Sequence, residues 1–183
     1  MKTKLLAILF LIQGYCFSQK NESFNAFDKA LNKIVNAYAS QFDTLKGQRT
    51  DENTQTEWYS KVNLAGCEKG KITLGLLMSH SEWRAQIINT TNLKEAKKKF
   101  NEFSEVLNDV TFDCCKMDRT NYTKSLNPEN HAYNEFSMWA VNKLLKHKND
   151  KLEDVAIYLD IRQLEDNSYL VSISVRSKKD NAQ

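Results

Sequence analysis

The stretch from Val155 to Val175 constrains the fold more than any other part of the chain. Val155, Ile157, Leu159 and Ile161 alternate with other residues, "EDNS" interrupts, and Tyr169, Val171, Ile173 and Val175 resume the same period of two. Alternation puts successive side chains on opposite faces of a pleated strand. Two such runs around a short polar turn predict a β-hairpin with one strongly aliphatic face. That face has to be covered, so the rest of the chain is read for what covers it.

Helical stripes supply the cover. Phe24, Phe27, Leu31, Ile34, Tyr38, Phe42 and Leu45 follow one another at steps of three and four, which predicts one amphipathic helix ending at Gly47. A second helix is predicted from "TNLKE", with Asn92 as cap, Glu95 reaching back in a capping box, and a stripe of Leu93, Ala96, Phe100, Phe103, Leu107 and Val110. A third is predicted over "NPENHAYNEFSMWAVNKLLKH", with Asn127 as cap and Pro128 at the first helical position. Between the first two helices, Trp58 to Leu64, Ile72 to Met78 and Trp83 to Ile87 alternate as strands, joined by "AGCEKG" and "SHSE".

The expected fold is therefore α+β: a two-layer sandwich with a five-stranded, mostly antiparallel sheet in the order α-β-β-β-α-α-β-β. This order is similar to that of small secretion chaperones, a likeness of element order that no motif accompanies and that assigns no function.

The first residues read as a secretory signal peptide. Lys2 and Lys4 precede an apolar run from Leu5 to Ile12, and Ser18 is a small residue before a sharp rise in polarity. Cleavage is expected after Ser18, giving a signal peptide over 1–18, a single domain over 19–178 and a disordered tail over 179–183. The apolar run is shorter than the ~20 residues that span a bilayer, so no membrane span is expected after cleavage. Bulky Tyr15 before Cys16 argues against a lipidated start. The localisation expected is periplasmic or secreted.

Losing Lys2 and Lys4 leaves 24 basic against 23 acidic side chains, a formal charge of +1. So balanced a surface has no strong field for a polyanion, and nucleic acid is not an expected partner.

Export permits disulfides, and the mature chain holds Cys67, Cys114 and Cys115. Neighbouring side chains of an extended segment point apart, so at most one of the adjacent pair faces Cys67. A bridge from Cys67 to Cys114 or Cys115 is expected, closing a loop of about fifty residues and adding roughly 4 kcal/mol on the chain-entropy model. The competing reading makes all three small buried hydrophobes. A ring between Cys114 and Cys115 themselves, or a zinc site with His80 or His131, ranks below both.

No recognisable catalytic motif occurs, and no cofactor, metal or catalytic set is expected. The binding candidates come from the sheet face turned away from the first two helices. Alternation places Tyr59, Leu77, Arg84, Gln86, Ile88, Tyr158, Asp160, Arg162, Leu170, Ser172 and Arg176 there. Leu77, Ile88, Tyr158 and Leu170 would form an apolar patch ringed by arginines. Either the third helix covers this patch or it meets a partner, and Tyr59, Arg84, Tyr158, Arg162 and Arg176 are the residues suited to the second case. The chain is thus expected to be an exported binding or accessory domain without enzymatic activity, acting through that face or the groove beside the third helix. Its partner would be a protein or small ligand of the cell envelope, or a second copy in a homodimer. The alternative expectation is a small secreted hydrolase or thiol-dependent enzyme using Cys115 and His131.

Overall fold

The structure, a computed structural model, describes residues 24–53, 55–75, 81–124, 134–143, 152 and 154–178. They form an α+β fold built on one antiparallel sheet. Its strands are β1 (Lys46–Arg49), β2 (Glu57–Ser60), β3 (Lys71–Thr73), β4 (Glu82–Thr90), β5 (Cys115–Lys124), β6 (Asn134–Lys143), β7 (Val155–Gln163) and β8 (Tyr169–Ser177). Their order across the sheet is β1-β2-β3-β4-β8-β7-β6-β5. Two helices, α1 (24–37) and α2 (Leu93–Asp109), accompany it.

The hairpin of β7 and β8 lies inside the sheet, flanked by β4 and β6. Its aliphatic face is dry: Val155, Ile157, Leu159, Ile161, Val171, Ile173 and Val175 have no exposed surface. Each contributes about 1.5–3 kcal/mol through burial. Helix α2 lies over β4, β7 and β8, and α1 meets it edge-on through Phe27 and Phe103, whose rings are 6.0 Å apart. The turn forms where the sequence predicts, with Asn167 in the left-handed region and Asp166 Oδ1 accepting from the backbone and hydroxyl of Ser168.

The order differs from the five-stranded expectation in three places. The predicted first helix stops at residue 37. Two short 3₁₀ turns, Tyr38–Ser40 and Asp43–Leu45, follow, with Gln41 and Phe42 at positive φ between them. Spacings of three fit a 3₁₀ turn as well as an α-helix, so Phe42 and Leu45 still reach the core after the helix has ended. Gly47 sits in β1 rather than at a helix stop; a Cβ there would lie 2.8 Å from the Tyr59 carbonyl oxygen.

The second difference is larger. The segment after the second predicted helix contains β5 and the predicted third helix contains β6; the two strands pair in continuous register from Cys115↔Lys143 to Lys124↔Asn134. The likeness of element order to secretion chaperones does not survive this change. Asn127, Pro128 and the other helix-start signals lie outside the described residues.

The third difference is a bulge in β4. Gln86 pairs with Ser172 but Ile88 with Val171, so one extra residue turns Ile88 to the helix side, where it packs against the core. The cap of α2 is as predicted in part. Asn92 Oδ1 accepts from the N–H groups of Lys94 and Glu95, whereas Asn92 N–H donates to Thr90 Oγ1 and Glu95 accepts the Thr90 hydroxyl. Thr90 thus takes the place of the reciprocal capping box.

Candidate functional site

Residues directly opposite one another in an antiparallel sheet share a face. The register threads Tyr59, Lys71, Arg84, Ser174 and Tyr158 into one row across β2, β3, β4, β8 and β7. Glu82, Arg176, Asp160, Arg162 and Ser172 stand two residues along from members of this row or from one another, on the same face. All five expected binding residues therefore share the side opposite the helices.

They divide into three groups. Arg84, Arg176 and Tyr158 come together around Glu82. Arg84 donates from Nε (3.1 Å) and Nη2 (2.9 Å) to Glu82 Oε1, and Arg176 Nε lies 3.8 Å from the same oxygen. The Arg176 guanidinium is 4.3 Å from the centre of the Tyr158 ring, a cation–π contact of about 0.5–2 kcal/mol. Tyr158 is 1% exposed, and its hydroxyl donates to the Ser177 carbonyl at 3.4 Å. Ser174 Oγ and Arg176 Nε are buried without a hydrogen-bond partner.

Arg162 belongs to a second group. Its Nε is 2.8 Å from Asp160 Oδ2, although the N–H is not aligned for a hydrogen bond, and Ser172 Oγ donates to Asp160 Oδ1 at 2.9 Å. Tyr59 forms the third, with the Lys69 ammonium 4.2 Å above its ring.

Glu82 and Ser174 were absent from the residues expected on this face. Both obey its alternation: Glu82 is two residues before Arg84, and Ser174 lies between Ser172 and Arg176. Glu82 was hidden by the expected "SHSE" turn, which it leaves to become the first residue of β4.

Of the expected apolar patch, Leu77 lies outside the described residues, Ile88 has moved to the helix side, Tyr158 is buried, and Leu170 stands half-buried on this face opposite Arg162. The expected cover by a third helix is corrected as well, since 134–143 is strand β6 of the same sheet. With that helix goes the groove expected beside it. A separate groove of about 720 Å³ runs along α1, lined among others by Asp28, Lys29, Asn32, Lys33, Thr111 and Asp113. Much of its polar capacity is already spent: Asn32 Nδ2 donates to the Thr111 carbonyl at 2.8 Å, and Thr111 N–H to Asp28 Oδ1 at 3.2 Å.

The cysteines pair otherwise than expected. Cys114 and Cys115 are joined to each other and Cys67 is a free thiol, in place of a bridge from Cys67 to Cys115. Cys67 packs against the helix-side core, and burial pushes its thiol up to about 12. A thiol held neutral in this way is a poor nucleophile. Cys115 is 5% exposed with its sulfur engaged; His80, His131 and His147 lie outside the described residues. Among the described residues no cluster of three or more His, Cys, Asp and Glu is placed to hold a metal, and no helix is long and apolar enough to cross a membrane.

Compared with family models, with curated proteins and with solved structures, the chain finds no match.

Proposed function

We propose that the chain is an exported, non-enzymatic binding domain that acts in the cell envelope or outside the cell, offering the sheet face opposite its helices to a protein partner. The observation that carries this reading is the cluster of Arg84, Arg176 and Glu82 on Tyr158, in which two guanidiniums share one carboxylate oxygen. Arginine and tyrosine held in fixed positions on a packed scaffold are the residues that anchor interfaces. Stacking on a buried ring holds the Arg176 guanidinium in place before any partner arrives, which lowers the entropy lost on binding.

Site-specific photo-crosslinking in the native envelope tests the proposal. A photoreactive residue at Arg84 should give a discrete adduct larger than the protein alone, and one at Lys29, beside the α1 groove, should not. An adduct the size of two copies would identify the partner as a second molecule of this chain. Equal labelling from both positions, or none from Arg84, would refute the assignment to this face.

A further inference from the structure

We infer that the outer face carries a carboxylate-binding site whose resting occupant is Glu82, and that the partner engaging it is an acidic peptide segment. This deepens the binding reading above and rests on it.

Among the described ion pairs of this face, one carboxylate is shared by two arginines. Lys71 pairs with Glu57 and Arg162 with Asp160, each one to one, whereas Arg84 and Arg176 share Glu82. Arginine prefers two parallel bonds to the two oxygens of a carboxylate. Here both Arg84 contacts fall on a single oxygen, Oε1, and Arg176, at 3.8 Å, is beyond hydrogen-bonding range of it. Arg176 Nε and Ser174 Oγ, its neighbour on the same face of β8, have no hydrogen-bond partner. Two unpartnered polar groups beside a carboxylate shared by two arginines call for an acceptor with two oxygens, and Glu82 hydrogen-bonds to neither of them.

The site is also within reach. The side chains of Arg84, Arg176 and Glu82 keep 33%, 21% and 26% of their exposure, so an incoming carboxylate can displace Glu82 by ion-pair exchange. The choice of an extended acidic ligand follows from what lies beside the site. Lys71 is the next member of the row, opposite Arg84 on β3, and strands lie about 4.8 Å apart. Beyond it Lys69 stands over Tyr59. A peptide crossing the strands with acidic side chains meets Arg176, Arg84, Lys71 and Lys69 in turn.

The test is fluorescence anisotropy with the purified protein and a labelled ten-residue peptide of alternating Glu and Ser, beside a Gln/Ser peptide and a phosphoserine peptide of equal charge. Thermal unfolding of each variant confirms that it is folded. Glu82→Gln removes the internal competitor and should tighten binding of the Glu peptide about tenfold, whereas Glu105→Gln, an equal charge change on α2, should not. Arg176→Gln should weaken binding by at least about tenfold, and Arg84→Lys, which keeps the charge but loses the fork, should weaken it too. The inference is overturned if the Glu and Gln peptides bind alike, if Glu82→Gln and Glu105→Gln act equally, or if Arg84→Lys behaves as wild type. Tighter binding of the phosphoserine peptide would overturn the carboxylate assignment. A cross-link from position 84 without preference for the acidic peptide would sink this inference alone; no cross-link there would remove the binding reading beneath it.

Discussion

The two faces of strands β4, β7 and β8 are built from the same alternation and are stabilised in different ways. Toward the helices stand Trp83, Ala85 and seven aliphatic side chains, all without appreciable exposure. Away from them stand the buried Tyr158, Ser172 and Ser174 together with three arginines and two acids that keep part of their exposure and are joined by ion pairs. The dry face gains about 25 cal/mol for each Å² of apolar surface removed from water. The ion pairs opposite, whose side chains are 14–38% exposed, are worth only ~0–1 kcal/mol each, because desolvation offsets much of their attraction. One face should therefore set stability, and the other should be free to serve binding.

The largest expected effect tests that division directly. Trp83→Ala empties a fully buried site and should cost about 3–5 kcal/mol, read as a fall in the urea midpoint with an unchanged slope. Arg176→Ala on the opposite face should cost less, about 0.5–3 kcal/mol, the sum of a weak ion pair and a cation–π contact. Equal losses from the two variants would show that the outer network is structural, and would leave the binding reading without its physical basis.

A smaller effect is expected from Gly70→Ala. A Cβ on Gly70 would lie 2.7 Å from Cζ2 of Trp83 and within 3.0 Å of two further indole atoms. The rigid ring is buried and cannot step aside cheaply, so this overpacking should cost about 1–3 kcal/mol. Combined with Trp83→Ala the penalty should largely vanish, because the atoms it meets are gone. Additive losses would mean that the cost of the added Cβ does not come from its approach to the indole.

The contrast between the faces also marks how far the sequence could be read. The β7–β8 hairpin, its turn, the stripe of α2 and the cap at Asn92 were legible because local pattern and tertiary position agree there. The region of β5 and β6 was not. In "AYNEFSMWAV", Tyr133, Phe136 and Ala140 satisfy helical spacing while Phe136, Met138 and Ala140 satisfy alternation, so periodicity alone cannot choose. Strand β5, "CKMDRTNYTK", is an edge strand. Edges carry charged and polar residues that resist further pairing, which removes the hydrophobic signal by which strands are recognised. On the outer face, membership could be counted off by twos until the bulge in β4. The grouping of its arginines could not, because cross-strand neighbours depend on register. For the cysteines, the geometric argument that adjacent side chains diverge holds within a regular strand. Cys114 precedes β5 and Cys115 opens it, so the premise fails at that junction.

The smallest expected effect concerns an ionisable group on the dry side. Cys67 packs against the helix-side core, and burial lifts its thiol from 9.0 to about 12. The folded protein therefore holds this proton more tightly than the unfolded chain does. Its contribution is fully present below pH 9, and it is lost as the pH rises toward 12, because the unfolded thiol ionises first. Over that window stability should fall by up to about 1.4 kcal/mol per pH unit from this group, measured by urea unfolding between pH 8 and 10.5. Cys67→Ala should flatten the part of the slope due to the thiol, while Glu82→Gln on the outer face should leave it unchanged. An alkaline slope that persists in Cys67→Ala would assign the effect to other groups, and would mean that water reaches Cys67 more freely than its packing implies.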